Sequence, residues 1–176
     1  AYNITGGKSM VSGTVYNIKK GRTLVGGTGY DINFMEDAYA MLYSSGNFVF
    51  QRGDRVADGE TLVNSYTGFE DRSYAYPLWR YEINNIINVT FIDEISPISL
   101  AYWFDNAINI KNIDYTNLNF NNITRMDYTH NNCRNLTGSP VCGDKVINMA
   151  NAYRNCRNLT GSPVCGENVT SMFYTY

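Results

Sequence analysis

The sequence predicts a mainly β fold with short helices, assembled from an N-terminal β-hairpin module, a small β-rich cap and a solenoid of about 23-residue turns. Three observations carry this: a verbatim duplication at a fixed 23-residue offset, a shorter repeat near the N-terminus, and an apolar but amide-rich composition. Of the 176 residues, 44% are hydrophobic and 14% aromatic, with 15 tyrosines and 23 asparagines. That content can bury a core and argues against wholesale disorder. Only 17% of residues are charged and the formal net charge is −2, which leaves no electrostatic footprint for nucleic acid. No apolar run approaches the roughly 18–20 residues that a membrane helix needs, so no membrane insertion is expected. The single histidine, His130, excludes multi-histidine metal sites and leaves little room for a Ser-His-Asp triad.

The solenoid prediction comes from the C-terminal repeats. Residues 132–143 and 155–166 share the same twelve letters, Asn-Cys-Arg-Asn-Leu-Thr-Gly-Ser-Pro-Val-Cys-Gly. The register extends outward: Ile123, Val146 and Val169 form one column, and Met126, Met149 and Met172 another. A more diverged unit lies upstream at an offset of 26, aligning Leu100 with Met126, Ala107 with Cys133, Ile110 with Leu136 and Tyr115 with Val141. A period of 23 falls in the range of about 20–29 of leucine-rich repeats, in which neighbouring turns bury each other's apolar face. Residues 100–176 are thus expected to form a leucine-rich-repeat solenoid, an incomplete array that runs on past Tyr176 or is covered by another subunit. His130 shares a column with Phe104, Tyr153 and Tyr176, which makes it a semi-buried core-edge residue and not a catalyst. Cys133 stacks over Cys156 and Cys142 over Cys165. Their spacing lacks the close Cys pairs of common zinc sites, and free, stacked thiols are expected.

The N-terminal repeat has a period of 14. It aligns Tyr2-Asn3-Ile4 with Tyr16-Asn17-Ile18 and Tyr30-Asp31-Ile32. Segments separated by Gly-Gly, Lys-Gly or Ser-Gly predict tight hairpins. Residues 1–32 are too few to hold a core alone, so they are expected to dock on a partner or on copies of themselves, with Tyr2, Tyr16 and Tyr30 as docking candidates. Residues 33–99 are expected to cap the solenoid. Within them, Glu36–Tyr43 predicts a short helix or turn, and Asn47–Gln51, Leu62–Tyr66 and Asn85–Ile92 predict strands.

The segment Asn-Val-Thr-Ser-Met-Phe-Tyr (168–174), the unit Leu-Ala-Tyr-Trp-Phe-Asp-Asn-Ala (100–107) and the Asn-Cys-x-x-Leu core resemble BspA-like leucine-rich repeats of bacterial surface proteins. The stretches 38–54 and 89–106 resemble the segment that precedes such repeats. The likeness spans residues 33–176 and implies a non-enzymatic solenoid used in adhesion. The 14-residue repeat resembles short N-terminal modules of phage structural proteins. The start at Ala1 shows neither a basic n-region nor an apolar h-region, which favours a virion protein over a secreted one as an expectation.

Other motifs carry less. Arg52-Gly53-Asp54 spells an integrin-binding tripeptide but is ordinary turn chemistry after a strand. Six Asn-x-Ser/Thr sequons, at Asn3, Asn88, Asn122, Asn135, Asn158 and Asn168, mostly copy the repeat. The acidic neighbours Glu36-Asp37, Glu70-Asp71 and Asp93-Glu94 show no cleft-flanking pair of a glycosidase. Gly-Gly at 6–7 and 26–27 lacks the Lys-Ser/Thr of a phosphate loop. The candidate binding surface is the repeat ladder, with Arg134 over Arg157 and Asn135 over Asn158, where two like charges are unfavourable unless solvated or sharing an anion. No catalytic residue, metal ligand or cofactor is expected. The function these features predict is a non-enzymatic phage virion structural protein that adheres to host surface or to neighbouring subunits. Its partners are other virion proteins, copies of itself, or a host surface protein or glycan. The alternatives are a bacterial cell-surface adhesin and, as a minor one, a glycan-active enzyme.

Overall fold

The computed structural model describes residues 36–73 and 75–175 in full and, ahead of them, the backbone of five strand segments. Two compact units divide at Asp37. In the first, β1 (Ile4–Thr5), β2 (Lys8–Val11) and β3 (Thr14–Asn17) form an antiparallel sheet in chain order, and β4 (Lys20–Val25) pairs with β5 (Thr28–Asn33) as a hairpin. Val11 pairs with Thr14 and Val25 with Thr28, so two residues separate the strands at Ser12-Gly13 and Gly26-Gly27. Lys20-Gly21 lies inside β4 and not in a turn, a correction to the expected Lys-Gly break.

The second unit is organised around a five-stranded mixed sheet of order β10-β9-β7-β6-β8. Its members are β6 (Ala38–Tyr43), β7 (Asn47–Arg52), β8 (Leu62–Thr67), β9 (Asn88–Phe91) and β10 (Asn112–Asp114). The helix or turn expected at Glu36–Tyr43 is instead the strand β6. It pairs antiparallel with β7 on one side and with β8 on the other. Its two faces differ as a strand's must: Ala38, Ala40 and Leu42 join the main core, while Met41 and Tyr43 pack with Val49 in a second cluster. Because both faces are apolar, no polar alternation marks it in the sequence. β7, β9 and β10 run parallel to one another, joined by crossovers in place of hairpins.

The main core is aromatic. Phe50 stacks on Phe91 at 4.6 Å and on Trp103 at 5.2 Å, and Trp79 meets Phe48, Phe50, Phe69 and Trp103 edge-on. Offset stacks and edge contacts are the arrangements that ring quadrupoles favour. Trp79 has one polar atom to satisfy, and its Nε1–H donates to the Trp103 carbonyl at 2.7 Å.

The expected leucine-rich-repeat solenoid does not form. The regular structure is a small mixed sheet, the sheet is not a solenoid, and a chain of 176 residues holds no long array of such repeats. Among the described residues the short helices reduce to two three-residue 3-10 turns, Ile83–Asn85 and Phe120–Asn122. The duplicated segments instead form tiers of turns. Ser99 bridges Arg125, Arg125 bridges Asn148, and Asn148 bridges Ser171, each as a single parallel bridge and not a strand pair.

The backbone accounting explains why. Leu100, Tyr102, Phe104 and Asn106 donate their N–H groups to the carbonyls of Arg125, Asp127, Thr129 and Asn131 in the next tier. The intervening Trp103, Asp105 and Ala107 donate three residues back, to Leu100, Tyr102 and Phe104. Met126–Cys133 repeat the pattern, and Met149, Asn151 and Tyr153 donate onward to Ser171, Phe173 and Thr175. Alternate amides thus close turns within a tier and join tiers, and these bonds form without an extended strand. The alternation needs left-handed residues: Tyr102, Tyr128 and Asn151 occupy one such column, and Asn106, Asn132 and Asn155 another. Asparagine tolerates that conformation better than most side chains.

Candidate binding surface

The repeat register places side chains in columns. His130 stacks on Tyr153 at 4.9 Å and on Phe104 at 5.7 Å. It is fully buried, where the sequence pointed to a core edge; Tyr176 of the same column lies outside the described residues. Its Nε2 lies 2.6 Å from the Tyr115 hydroxyl, and its Nδ1 has no hydrogen-bond partner. Burial pushes its pKa down to about 3, so it is neutral at physiological pH. Burial of the Tyr115 hydroxyl drives that group's pKa up and keeps it protonated. The pair is a buried core contact, bonded at Nε2 alone, with no access for a substrate.

All four cysteines are free thiols. Cys133 donates to the Phe104 carbonyl at 3.1 Å and Cys156 to the His130 carbonyl at 2.9 Å. Cys142 and Cys165 both donate to Met149 Sδ, at 3.2 and 3.0 Å. Among the described residues, no three His, Cys, Asp or Glu side chains converge to hold a metal, and no helix is long and apolar enough to cross a membrane.

The acidic neighbours are engaged in the fold. Glu70 takes a two-pronged bond from the Arg52 guanidinium, 2.8 Å on each arm, and also accepts from Ser96 N–H. Asp93 accepts from Arg52 N–H at 2.8 Å, and Glu94 accepts from Asn119 Nδ2 at 2.8 Å. The same contacts pin Arg52 against the body of the unit, so Arg52-Gly53-Asp54 does not present its guanidinium outward.

Of the sequence-predicted ladder, Arg134, Asn135, Arg157 and Asn158 are all exposed. Asn135 is committed to the fold, because its Nδ2 donates to the Ile108 carbonyl of the preceding tier at 2.8 Å. Tyr16 and Tyr30 sit in β3 and β5 opposite Ser9 and Thr23. Tyr2 and the side chains of Tyr16 and Tyr30 lie outside the described residues.

A different outer surface emerges from the left-handed columns. Asn155 Nδ2 donates to Asn132 Oδ1, and Asn132 Nδ2 to Asn106 Oδ1, each at 2.8 Å, forming an amide ladder. Beside it Tyr102 and Tyr128 stack at 5.0 Å, only 6° from parallel, and Tyr76 approaches Tyr102 at 4.8 Å. Tyr76, Arg80, Tyr81, Tyr102, Asp105 and Asn106 line a cleft of about 340 Å³. The Arg80 guanidinium lies 4.5 Å from the Tyr81 ring centre and 5.6 Å from that of Tyr76. Asn131 Nδ2 donates to Asp105 Oδ1 at 2.8 Å, and desolvation raises the Asp105 pKa.

No family model, curated protein or solved structure matches this chain. The sequence reading passed over Tyr76, Arg80, Tyr102 and Asp105. A signal for Tyr102 and Tyr128 existed in their 26-residue offset, but its meaning depended on a left-handed backbone that turns both rings outward.

Proposed function

We propose that the chain is a non-enzymatic structural protein of a phage particle that adheres, through its tiered outer face, to host surface or to neighbouring subunits. The observation that supports this reading most is the register of the outer columns. Asparagine amides repeat over three tiers and stacked tyrosine rings over the first two, so neighbouring tiers present like side chains along one face. Stacked repeats with such faces suit adhesion, because each tier adds like contacts to the last. The carboxylates at 70, 93 and 94 spend their bonds inside the fold, which weighs against a glycan-hydrolysing pair. The 14-residue N-terminal repeat supports the particle assignment through its likeness to phage structural modules. A bacterial cell-surface adhesin is the second reading, favoured by the likeness of residues 100–107 and 168–174 to surface-antigen repeats.

Mass spectrometry of gradient-purified particles tests the assignment. The protein is expected at stoichiometric copy number relative to other virion proteins. Its absence from particles, or its recovery in the cell-envelope fraction of uninfected cells, overturns it.

A further inference from the structure

We propose that the cleft between residues 76–83 and the first tier is a saccharide site that takes a neutral hexopyranose unit of a glycan. This goes beyond the particle assignment and stands whether or not the protein belongs to a virion.

A pyranose ring has a flat face of C–H groups and a rim of hydroxyls. A site for it needs an exposed aromatic face and polar groups set to one side. Tyr81 is 82% exposed and Tyr76 54%, an unusual amount of ring surface to leave in water on one short segment. Arg80 braces both rings through its guanidinium, and it also donates to the Tyr81 hydroxyl. Tyr76 is also packed on Tyr102 at 4.8 Å, so that ring is set against the first tier before a ligand arrives, which reduces the ordering cost of binding.

The polar side is equally fixed. Asp105 is anchored by Asn131, and Asn106 heads the amide ladder of Asn132 and Asn155. A carboxylate already short of water gains from hydroxyl donors that replace the lost hydration. The carboxamide beside it can donate and accept, as a sugar hydroxyl also does. The cleft volume of about 340 Å³ is at the small end of ligand sites and fits a single ring better than an oligosaccharide chain.

Charge selects among ligands. Asp105 disfavours an acidic sugar, and the single cation Arg80 is occupied by two rings and a hydroxyl. A proline-rich peptide also binds tyrosine-lined grooves. It has few donors to offer a half-buried carboxylate, so the observations favour the hydroxyl-rich ligand.

The test is a glycan array probed with the full chain, followed by saturation-transfer NMR and calorimetry with the methyl glycoside of the best-bound terminal sugar. Neutral hexose-ended glycans are expected to bind. Tyr81→Ala and Asp105→Asn are each expected to weaken binding about tenfold or more, with an unchanged melting temperature for the surface variant Tyr81→Ala. Lys145→Ala, exposed and away from the cleft, is expected to bind as the parent does. The proposal is overturned by an array without neutral-glycan binding, by binding confined to acidic glycans or to a proline-rich peptide, or by parental affinity in Tyr81→Ala. Particle association is read by a separate experiment, so loss of one reading leaves the other standing.

Discussion

At neutral pH His130 sits uncharged between two rings, and its chemistry follows from that position. In water an imidazole titrates near 6.5; here burial keeps it neutral, with a single ring proton, down to about pH 3. Below pH 6.5 the unfolded chain therefore binds a proton that the folded chain refuses. Stability is complete above pH 6.5 and falls by about 1.4 kcal/mol per pH unit below it, until the folded group itself titrates. Urea midpoints measured from pH 7 to 4 should show this slope, and His130→Phe should flatten it. The same variant strands the Tyr115 hydroxyl and is expected to cost about 1–3 kcal/mol at pH 7. Tyr115→Phe with His130→Phe should recover part of that loss, because both partners are then apolar. Burial also separates the cysteines: iodoacetamide on the native protein should label Cys165 first, Cys142 more slowly because burial and its neighbour Cys165 hold that thiol protonated, and Cys133 and Cys156 only on unfolding. Peptide mapping of labelled sites reads this directly. The column containing His130 was legible because the verbatim stretches at 132–143 and 155–166 set a register that extends two residues back to pair His130 with Tyr153. Its depth was not, because depth depends on Tyr115 of the diverged first unit reaching across to the ring, a contact that column alignment does not reveal.

At the level of elements, conformation at single positions decides which turns can form. Gly46 closes the β6–β7 hairpin at φ +86°, and a Cβ there would lie 2.6 Å from Ile87 Cγ1 and 3.1 Å from the Asn85 carbonyl oxygen. Gly59 has a similar φ of +77° with nothing nearby. Gly59→Ala should therefore cost about 1 kcal/mol of backbone strain, whereas Gly46→Ala should cost roughly 2–3 kcal/mol, since Ile87 must also move. Paired denaturation curves compare them. The tiers depend on left-handed positions in the same way. Asn132→Ala removes both ladder bonds and strains the backbone at φ 62°, and is expected to lose about 2 kcal/mol. Asn132→Gly removes the bonds without the strain and should lose less. These positions explain why the 23-residue period misled. A period states that units stack, but not which backbone they use. Columns of Asn and Tyr in left-handed geometry give turns joined by single bridges, where a leucine-rich repeat would give a strand. The strand β6 was missed for the opposite reason, because a central strand apolar on both faces looks like a buried helix segment in one dimension.

Across the whole of residues 38–175, sheet and tiers share one core. It runs without a break from Ala38 through Phe50, Trp79 and Trp103 to Met126, Met149 and Cys156. Trp103 belongs to the first tier yet stacks on Phe50 of β7, and its carbonyl takes the Trp79 indole N–H. The tier amides of Leu100 and Phe104 then lean on Arg125 and Thr129, which belong to the second tier. Loss of the Trp79 side chain should be felt in every layer of this chain of contacts. Trp79→Leu removes five edge-on ring contacts, with Phe48, Phe50, Tyr66, Phe69 and Trp103, and orphans a buried carbonyl. A loss of about 3–5 kcal/mol is expected, the range for large-to-small changes in a packed core. Hydrogen exchange distinguishes shared from separate stability. If one core holds both parts, amide protection of β7 and of Met126, His130 and Met149 should fall together in the variant, with a single unfolding midpoint. Protection that falls in the sheet but persists in the tiers would show the tiers to be stable on their own, and the continuity of the core to be contact without cooperation.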